Sequence, residues 1–160
     1  MSTNYVASSA VTISLGSLGS SSNFTAGQES TLIDNSSNKY DDYLLAGTIK
    51  AGTTPTTGEI RVYVVGMRDD SVWPDGFDGS DSAETATSVE ILNSICKPAA
   101  IIGVDTTTGR VYPFGPVSVA SLFGGVVPRK FVVFVSHNTV NALDSTNGNH
   151  VVSITPVTFS

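Results

Sequence analysis

The sequence predicts an all-β protein: a single-domain antiparallel β-sandwich of the jelly-roll type, with about eight strands and one short helix near residues 86–96. Charged residues make up only 14% of the 160 residues, and 22 Ser and 18 Thr supply polarity instead, a composition that suits strands. Apolar and polar residues alternate along most of the predicted strands, which indicates that one face of each strand is buried. Long connections at 16–41 and 68–98 favour a jelly roll over an antibody-like sandwich.

Period-two alternation marks the strands in chain order, beginning with "AVTISLGSL". The segments "DDYLLAGTIKA" and "EIRVYVVGM" flank the turn "TTPTTGE", and we predict that they form a hairpin with Ile60, Val62 and Val64 facing the core. Four further strands are predicted in "AAIIGVD", "RVYPFGPVSV", "RKFVVFVSH" and "HVVSITPVTF". No internal repeat or linker divides the chain, so residues 1–160 are expected to be one domain.

The segment "TSVEILNSIC" has a helical rather than a two-residue period. Thr87 and Glu90 stand at capping-box spacing ahead of an apolar stripe. Pro98 disfavours helical geometry at the residue before it, so the helix is expected to end there.

Net charge argues against two classes of partner. The chain carries a formal charge of −6, with eight scattered Lys and Arg residues, so neither nucleic acid nor an anionic membrane is expected to bind. No apolar run reaches the length of a membrane span. Cys96 is the only cysteine, which excludes an internal disulfide and is typical of a small buried side chain.

The sequence also lacks the residues that most enzymes of this fold would need. Only two histidines are present, His137 and His150, and no nucleophile elbow, phosphate loop or C-x-x-C motif occurs. We therefore expect no enzyme activity and no cofactor, with calcium as the one alternative left open.

The calcium alternative rests on residues 69–84, called the acidic segment below. It holds six of the chain's 14 carboxylates in a Gly-rich stretch, "DDSVWPDGFDGSDSAE". Asp75, Asp78 and Asp81 are three residues apart and separated by glycines, which would allow a loop to wrap a calcium ion. The same residues are also usual in plain turns, because Asp bonds its own backbone and Gly accepts positive φ.

The acidic segment has a second reading as a ligand or contact loop. Trp73 and Phe77 beside Asp75 and Asp78 would suit a sugar-binding edge, where aromatic rings stack on sugars. Alternatively, Trp73 folds back to cover one end of the sandwich, because a Trp buries a large area of about 150–250 Å². The sequence leaves calcium, sugar and a neighbouring subunit open for this loop.

The segment "VSVASLFGGVVPRKFVVFVSHNT" is more apolar than one half-exposed strand pair requires. Within "FVVFV" both faces are hydrophobic, so this strand is buried either by a partner subunit or by another part of the same chain. If a partner covers it, the residues of the preceding turn are the interface candidates: Leu122, Phe123, Val126, Val127, Arg129 and Lys130.

Three stretches carry a resemblance to known proteins: "GQESTLIDNSSNKYDDYLLAGTIKAGTTPTTGEIRVYVVG", "WPDGFDGSDSAETATS" and "VSVASLFGGVVPRKFVVFVSHNT…NALDSTNGNH". Together they span about residues 24–152. They resemble small proteins encoded among the structural genes of tailed bacteriophages, and in particular jelly-roll capsid decoration (cement) proteins. The likeness is one of pattern and includes no catalytic signature.

The resemblance implies a non-enzymatic virion protein on the outer capsid surface, assembled in the host cytoplasm. Its partners would be the phage major capsid protein and further copies of itself, commonly as a trimer. Residues 1–12 are expected to form an extended N-terminal arm that reaches a neighbouring subunit. The alternative is a tail-fibre or baseplate module that binds host carbohydrate through the loop containing Trp73.

Overall fold

The computed structural model describes residues 2–160 and shows a sandwich of two antiparallel sheets. The strands are β1 (Thr3–Tyr5), β2 (Ser9–Ala10), β3 (Ala26–Glu29), β4 (Ile33–Asp34), β5 (Asp42–Lys50), β6 (Gly58–Gly66), β7 (Ser82–Thr85), β8 (Cys96–Val104), β9 (Val111–Ser118), β10 (Lys130–His137) and β11 (Val151–Phe159). The helices are α1 (Val89–Ile95) and α2 (Val119–Leu122), and a 3₁₀ turn covers Asn147–Asn149. No helix within residues 2–160 has the length and apolarity that a membrane span needs.

The strand order is that of a jelly roll. The first sheet runs β1-β11-β5-β9, with β2 also on β11, and the second runs β7-β3-β10-β6-β8, with β4 also on β10. If β2, β4 and β7 are left out, eight strands remain, and we number them one to eight along the chain. The first sheet then has the order 1-8-3-6, and the second sheet has the order 2-7-4-5. This is the arrangement of two interlocked Greek keys, so the predicted fold class is confirmed.

The predicted hairpin is wrong. β5 pairs with β11 and β9 in the first sheet, whereas β6 pairs with β10 and β8 in the second. The intervening residues 51–57 therefore arch from one sheet to the other. The predicted orientation still holds, because Ile60, Val62 and Val64 face the core between the sheets.

β10 lies at the centre of the second sheet and is apolar on both faces, as the sequence predicts. Phe131, Val133 and Val135 face the core between the sheets, while Val132 and Phe134 face the opposite side. All five are fully buried. The chain itself covers both faces, which leaves no need for a partner subunit to bury this strand.

The predicted helix is confirmed as α1, within residues 86–96, although its cap differs by one residue. Ser88 rather than Thr87 is the N-cap, and its hydroxyl accepts a hydrogen bond from the Ile91 amide at 3.3 Å. Pro98 lies beyond the helix in β8, at a register shift and on a sheet edge, where a missing N–H donor is tolerated.

The single-turn helix α2 was not predicted, because its sequence reads as the end of a strand. It is held by a buried carboxylate at the start of β5. Asp42 accepts hydrogen bonds from the Ala120 amide at 2.8 Å and from the Ser118 hydroxyl at 2.6 Å. Asp42 thus satisfies the Ala120 amide, which a helix of one turn leaves without an intrahelical acceptor.

The N-terminal segment lies along its own chain, with residues 2–10 exposed throughout, and the expected reach of residues 1–12 to a neighbouring subunit stays a prediction. β1 and β2 pair along β11 of the same chain, with Thr3 opposite Phe159 and Ala10 opposite Ser153. The arm is therefore the outer margin of the first sheet.

Candidate interaction surfaces

The acidic segment covers the outer face of the second sheet. Phe77 is only 3% exposed, and its ring meets Phe134 of β10 edge to face at 5.2 Å between centroids. Trp73, which is partly buried, packs against the same cluster, and Leu92 of α1 completes it. A segment rich in carboxylates thus forms a second hydrophobic core by turning its few apolar residues inward.

A buried carboxylate holds this cover in place. Glu29, at the end of β3, is fully buried, and its Oε1 accepts hydrogen bonds from the backbone amides of Gly79 at 2.7 Å and Asp78 at 3.2 Å. Gly79 has a φ of +82°, a backbone geometry that glycine adopts without steric cost. Burial raises the pKa of Glu29 to about 7, and the neighbouring charges of Asp78 and Glu84 also raise it.

The three calcium candidates are not brought together as a metal site. Asp81 accepts hydrogen bonds from the Ser14 hydroxyl at 2.6 Å and from the Gln28 side chain at 2.7 Å. Asp75 accepts one from the Thr87 hydroxyl at 2.6 Å, and Asp78 bonds the Ser80 amide within its own turn. Within residues 2–160, no group of three or more acidic, His or Cys side chains is arranged to hold an ion. Asp75 and Asp81 instead tie the loop to the protein, while Asp78 stabilises its own turn.

The structure also breaks up the sugar-binding edge expected from Trp73, Asp75, Phe77 and Asp78. Phe77 is in the core and cannot stack on a ligand, while Trp73 lies with the tip of its indole against Gly79. The reading in which Trp73 covers the sandwich is the one that its packing supports.

The six interface candidates separate into buried and exposed residues. Val127 is only 8% exposed and belongs to the core, and Leu122 and Phe123 pack partly against that core. Val126 is 73% exposed, the highest value among the large apolar side chains of residues 2–160. Val127 is therefore largely taken up by the core, and Val126 is the most exposed apolar side chain among the six candidates.

The two basic candidates, Arg129 and Lys130, both bond Asp70 of the same chain. The Arg129 guanidinium lies 2.7 Å from an Asp70 carboxylate oxygen, and the Lys130 ammonium donates to the Asp70 backbone carbonyl at 3.3 Å. Both side chains of the Arg129–Asp70 pair are about two-thirds exposed, so water and salt weaken the pair and a partner can compete for it.

These residues lie at one end of the sandwich, which we call the docking end and define as loops 35–41, 67–72 and 119–129 with the N-terminal arm. The Asn35 amide donates to the Arg129 carbonyl at 2.8 Å, and the Asp41 amide donates to the Val157 carbonyl at 2.9 Å, which joins the loops to the end of β11. An open groove of about 480 Å³ runs between them. It is lined by Asn35, Ser36, Lys39, Tyr40, Val127 and Arg129.

Sequence reasoning missed the groove residues Asn35, Lys39 and Tyr40. Asn35 is buried and closes its loop by accepting from the Tyr40 amide at 2.8 Å and donating to the Tyr40 carbonyl at 3.0 Å. Lys39 is exposed and takes part in none of the ion pairs among residues 2–160. The sequence feature that could have indicated these residues is Lys39 next to Tyr40 in the Ser- and Asn-rich stretch "DNSSNKYDD".

The two histidines and the cysteine have structural environments. His137 is fully buried and bonds the Leu18 carbonyl through Nε2 at 2.8 Å, and burial lowers its pKa. His150 bonds the Asp144 carbonyl at 2.9 Å. Burial raises the pKa of the Cys96 thiol to about 12, which disfavours the reactive thiolate.

Comparison of the chain with protein-family models, with curated proteins and with solved structures finds no match.

Proposed function

We propose that this protein is a non-enzymatic virion component of a tailed bacteriophage that binds the outer capsid lattice and stabilises it. The docking end is the surface assigned to the major capsid protein. The observation that carries this assignment is the 73% exposure of Val126 in the loop 119–129, which also contributes Val127 and Arg129 to the groove that Lys39 and Tyr40 line.

The chemistry of the docking end favours a protein partner. A partner that covers the Val126 side chain, which is 73% exposed, stabilises the complex by roughly 25 cal/mol per Å² of apolar area buried. The docking end also carries charges of both signs rather than one basic patch, since Arg129 and Lys130 bond Asp70, and Arg68 pairs with Asp69. A rim of mixed charge around an apolar centre is typical of protein interfaces.

On the lattice, the protein acts as a homo-oligomer, a trimer where it occupies a three-fold position. Each copy contributes one docking end, so several moderate contacts act together and raise the overall affinity. Decoration would then resist the pressure of packaged DNA by linking neighbouring capsid subunits.

Co-sedimentation with undecorated capsids tests the proposal. The purified protein should pellet with capsids and fail to bind host polysaccharide. Glycan binding without capsid binding would overturn the proposal in favour of a tail-fibre or baseplate module. Failure of both assays would also overturn it and would point to an internal virion part.

A point substitution tests the docking end itself. Val126→Glu should weaken capsid binding about tenfold or more, because it removes an apolar contact and places an unpaired charge in the interface. Val140→Glu is the matched control, since Val140 is 68% exposed in the connection after β10, at the opposite end of the sandwich. Equal binding by the two variants would show that the capsid contacts another surface.

A further inference from the structure

Residues 73–85, called the strap below, lie over the outer face of the second sheet as a separate layer. The strap contributes Trp73 and Phe77 to the hydrophobic cluster on that face, and its strand β7 pairs with β3 at the edge of the sheet. Among residues 2–160, the core between the two sheets is a different cluster and contains no strap residue. The strap can therefore detach without unpacking that core, and local openings of this kind cost less free energy than global unfolding.

Glu29 is the buried carboxyl at which the strap is attached to the sheet. Its side chain lies on the outer face of β3, since it stands opposite Phe134 on β10 and Ser82 on β7. The Gly79 amide donates to its Oε1 at 2.7 Å, and the Asp78 amide lies 3.2 Å from Oε1 and 3.3 Å from Oε2. Glu29 is fully buried in this closed arrangement, and lifting the strap would replace the two amides by water.

The charges that act on Glu29 are acidic. Burial raises its pKa to about 7 against the two strap amides, which lower it, and the charges of Asp78 on the strap and Glu84 on β7 raise it further. β10, the other neighbour of β3, carries Lys130 and His137, which lie four and three positions from the residue opposite Glu29. None of the ion pairs within residues 2–160 includes Glu29. The closed strap therefore favours the protonated carboxyl.

We propose that the strap is a pH-sensitive cover, which opens more often when Glu29 loses its proton and then uncovers the outer apolar face around Phe134 while the core between the sheets stays packed. The direction follows from linkage, because Glu29 holds its proton more tightly in the closed state than in the open, hydrated state. The advantage of the closed state is complete below pH 4.5 and is lost as the pH rises through about 7. This device goes beyond the proposed function and does not rest on it, since the strap lies outside the docking end.

Asp81 sets the acid limit of this behaviour. Burial acts to raise the pKa of Asp81, but hydrogen bonds from Ser14 and Gln28 outweigh burial and hold the pKa below 3.8. The contribution of Asp81 to closure is therefore present above pH 3.8 and is lost only as the pH falls further. Between pH 5 and pH 8 Asp81 stays ionised, so it does not change the closure of the strap over this interval.

Two adjacent residues of β10 distinguish opening of the strap from global unfolding. Val132 faces the outer cluster and Val133 faces the core between the sheets, and both are fully buried. Val132→Cys and Val133→Cys form a matched pair, each in a Cys96→Ala background that removes the only native thiol. Each thiol is alkylated with iodoacetamide, and its rate is divided by the rate of the same chain unfolded in urea at the same pH. This ratio cancels the ionisation of the thiol itself.

The relative rate for Val132→Cys should rise about 70-fold between pH 5 and pH 8, the factor that a pKa raised from 4.5 to about 7 produces over this interval. At pH 8, Val133→Cys should react at least about tenfold more slowly than Val132→Cys, because the core between the sheets opens less often. Adding Glu29→Gln should make the relative rate for Val132→Cys independent of pH. Equal rates at the two positions would overturn the proposal, as would a rise of less than about fivefold or one that persists with Glu29→Gln.

Hydrogen exchange of the wild-type protein tests the cover without any of these variants. The Gly79 amide, which donates to Glu29, should lose about 70-fold of its protection between pH 5 and pH 8, measured against its intrinsic exchange rate at each pH. At pH 8 it should also exchange faster than the amides of β10. Protection of Gly79 that stays constant with pH, or that equals the protection of β10, would overturn the proposal.

Discussion

Replacing Phe134 by alanine should lower the free energy of unfolding by about 3–5 kcal/mol, the usual cost of deleting a buried aromatic ring. Phe134 is fully buried on the outward face of β10, where it contacts Phe77 of the acidic segment. The variant removes the ring on which the acidic segment rests, so this segment should also become accessible to proteases. Urea denaturation and limited proteolysis measure the two effects.

Phe159→Ala is the matched control, because it removes the same ring from a position that is 48% exposed. Its cost should stay within about 1 kcal/mol, since less apolar surface is lost and water fills the space. Similar losses for the two variants would contradict the assignment of Phe134 and Phe77 to a second hydrophobic core.

The stability of the protein should depend on the ionisation of Glu29, because burial raises the pKa of this carboxyl to about 7 from an ordinary value of 4.5. The folded state then binds the proton more tightly than the unfolded state does. The Glu29 contribution is complete below pH 4.5 and is lost as the pH rises through about 7. Since one pKa unit corresponds to about 1.4 kcal/mol, the loss is at most about 3–4 kcal/mol.

Glu29→Gln should remove this contribution, so the variant should gain stability relative to the wild type between pH 5 and pH 8, roughly the interval across which Glu29 ionises. The readout is the difference between the two proteins in urea denaturation at each pH. The contribution of His137 to stability is common to both proteins, so it cancels in this difference. Burial lowers the pKa of His137, and its contribution is therefore lost in the opposite direction, as the pH falls through its unfolded value.

Glu90→Gln, an exposed change in the first turn of α1, is the control and should follow the wild-type pH dependence. A constant difference between Glu29→Gln and the wild type across this pH range would contradict a raised pKa for Glu29.

The local elements were largely predictable from the sequence, whereas their partners were not. Alternation places Ile60, Val62 and Val64 on one face of β6 whether the strand pairs with β5 or with β10. Because a hairpin and an arch between sheets both read as strand, turn and strand, the pattern cannot distinguish them. The turn "TTPTTGE" therefore led to a hairpin that the structure does not contain.

The contact residues show the same limit. Val126 and Val127 are adjacent valines in one apolar turn, yet one is 73% exposed and the other 8%. Hydrophobicity identified the region, but only the packing of the turn decided which side chain faces outward. The groove residues Lys39 and Tyr40 lie near Arg129 because two loops converge at one end of the sandwich, and their separation along the chain hides that proximity.

The sequence by itself determined that the chain folds as a β-sandwich with one short amphipathic helix, because strand and helix periods are local properties of the residues. It also determined that β10 is buried on both faces. Only the tertiary structure decided what covers the outer face. The carboxylates of the acidic segment bond nearby protein groups, Glu29 accepts from the loop backbone, and Phe77 inserts beside Phe134. These pairings join residues about 50 or more positions apart, and such distant contacts depend on how the whole chain packs.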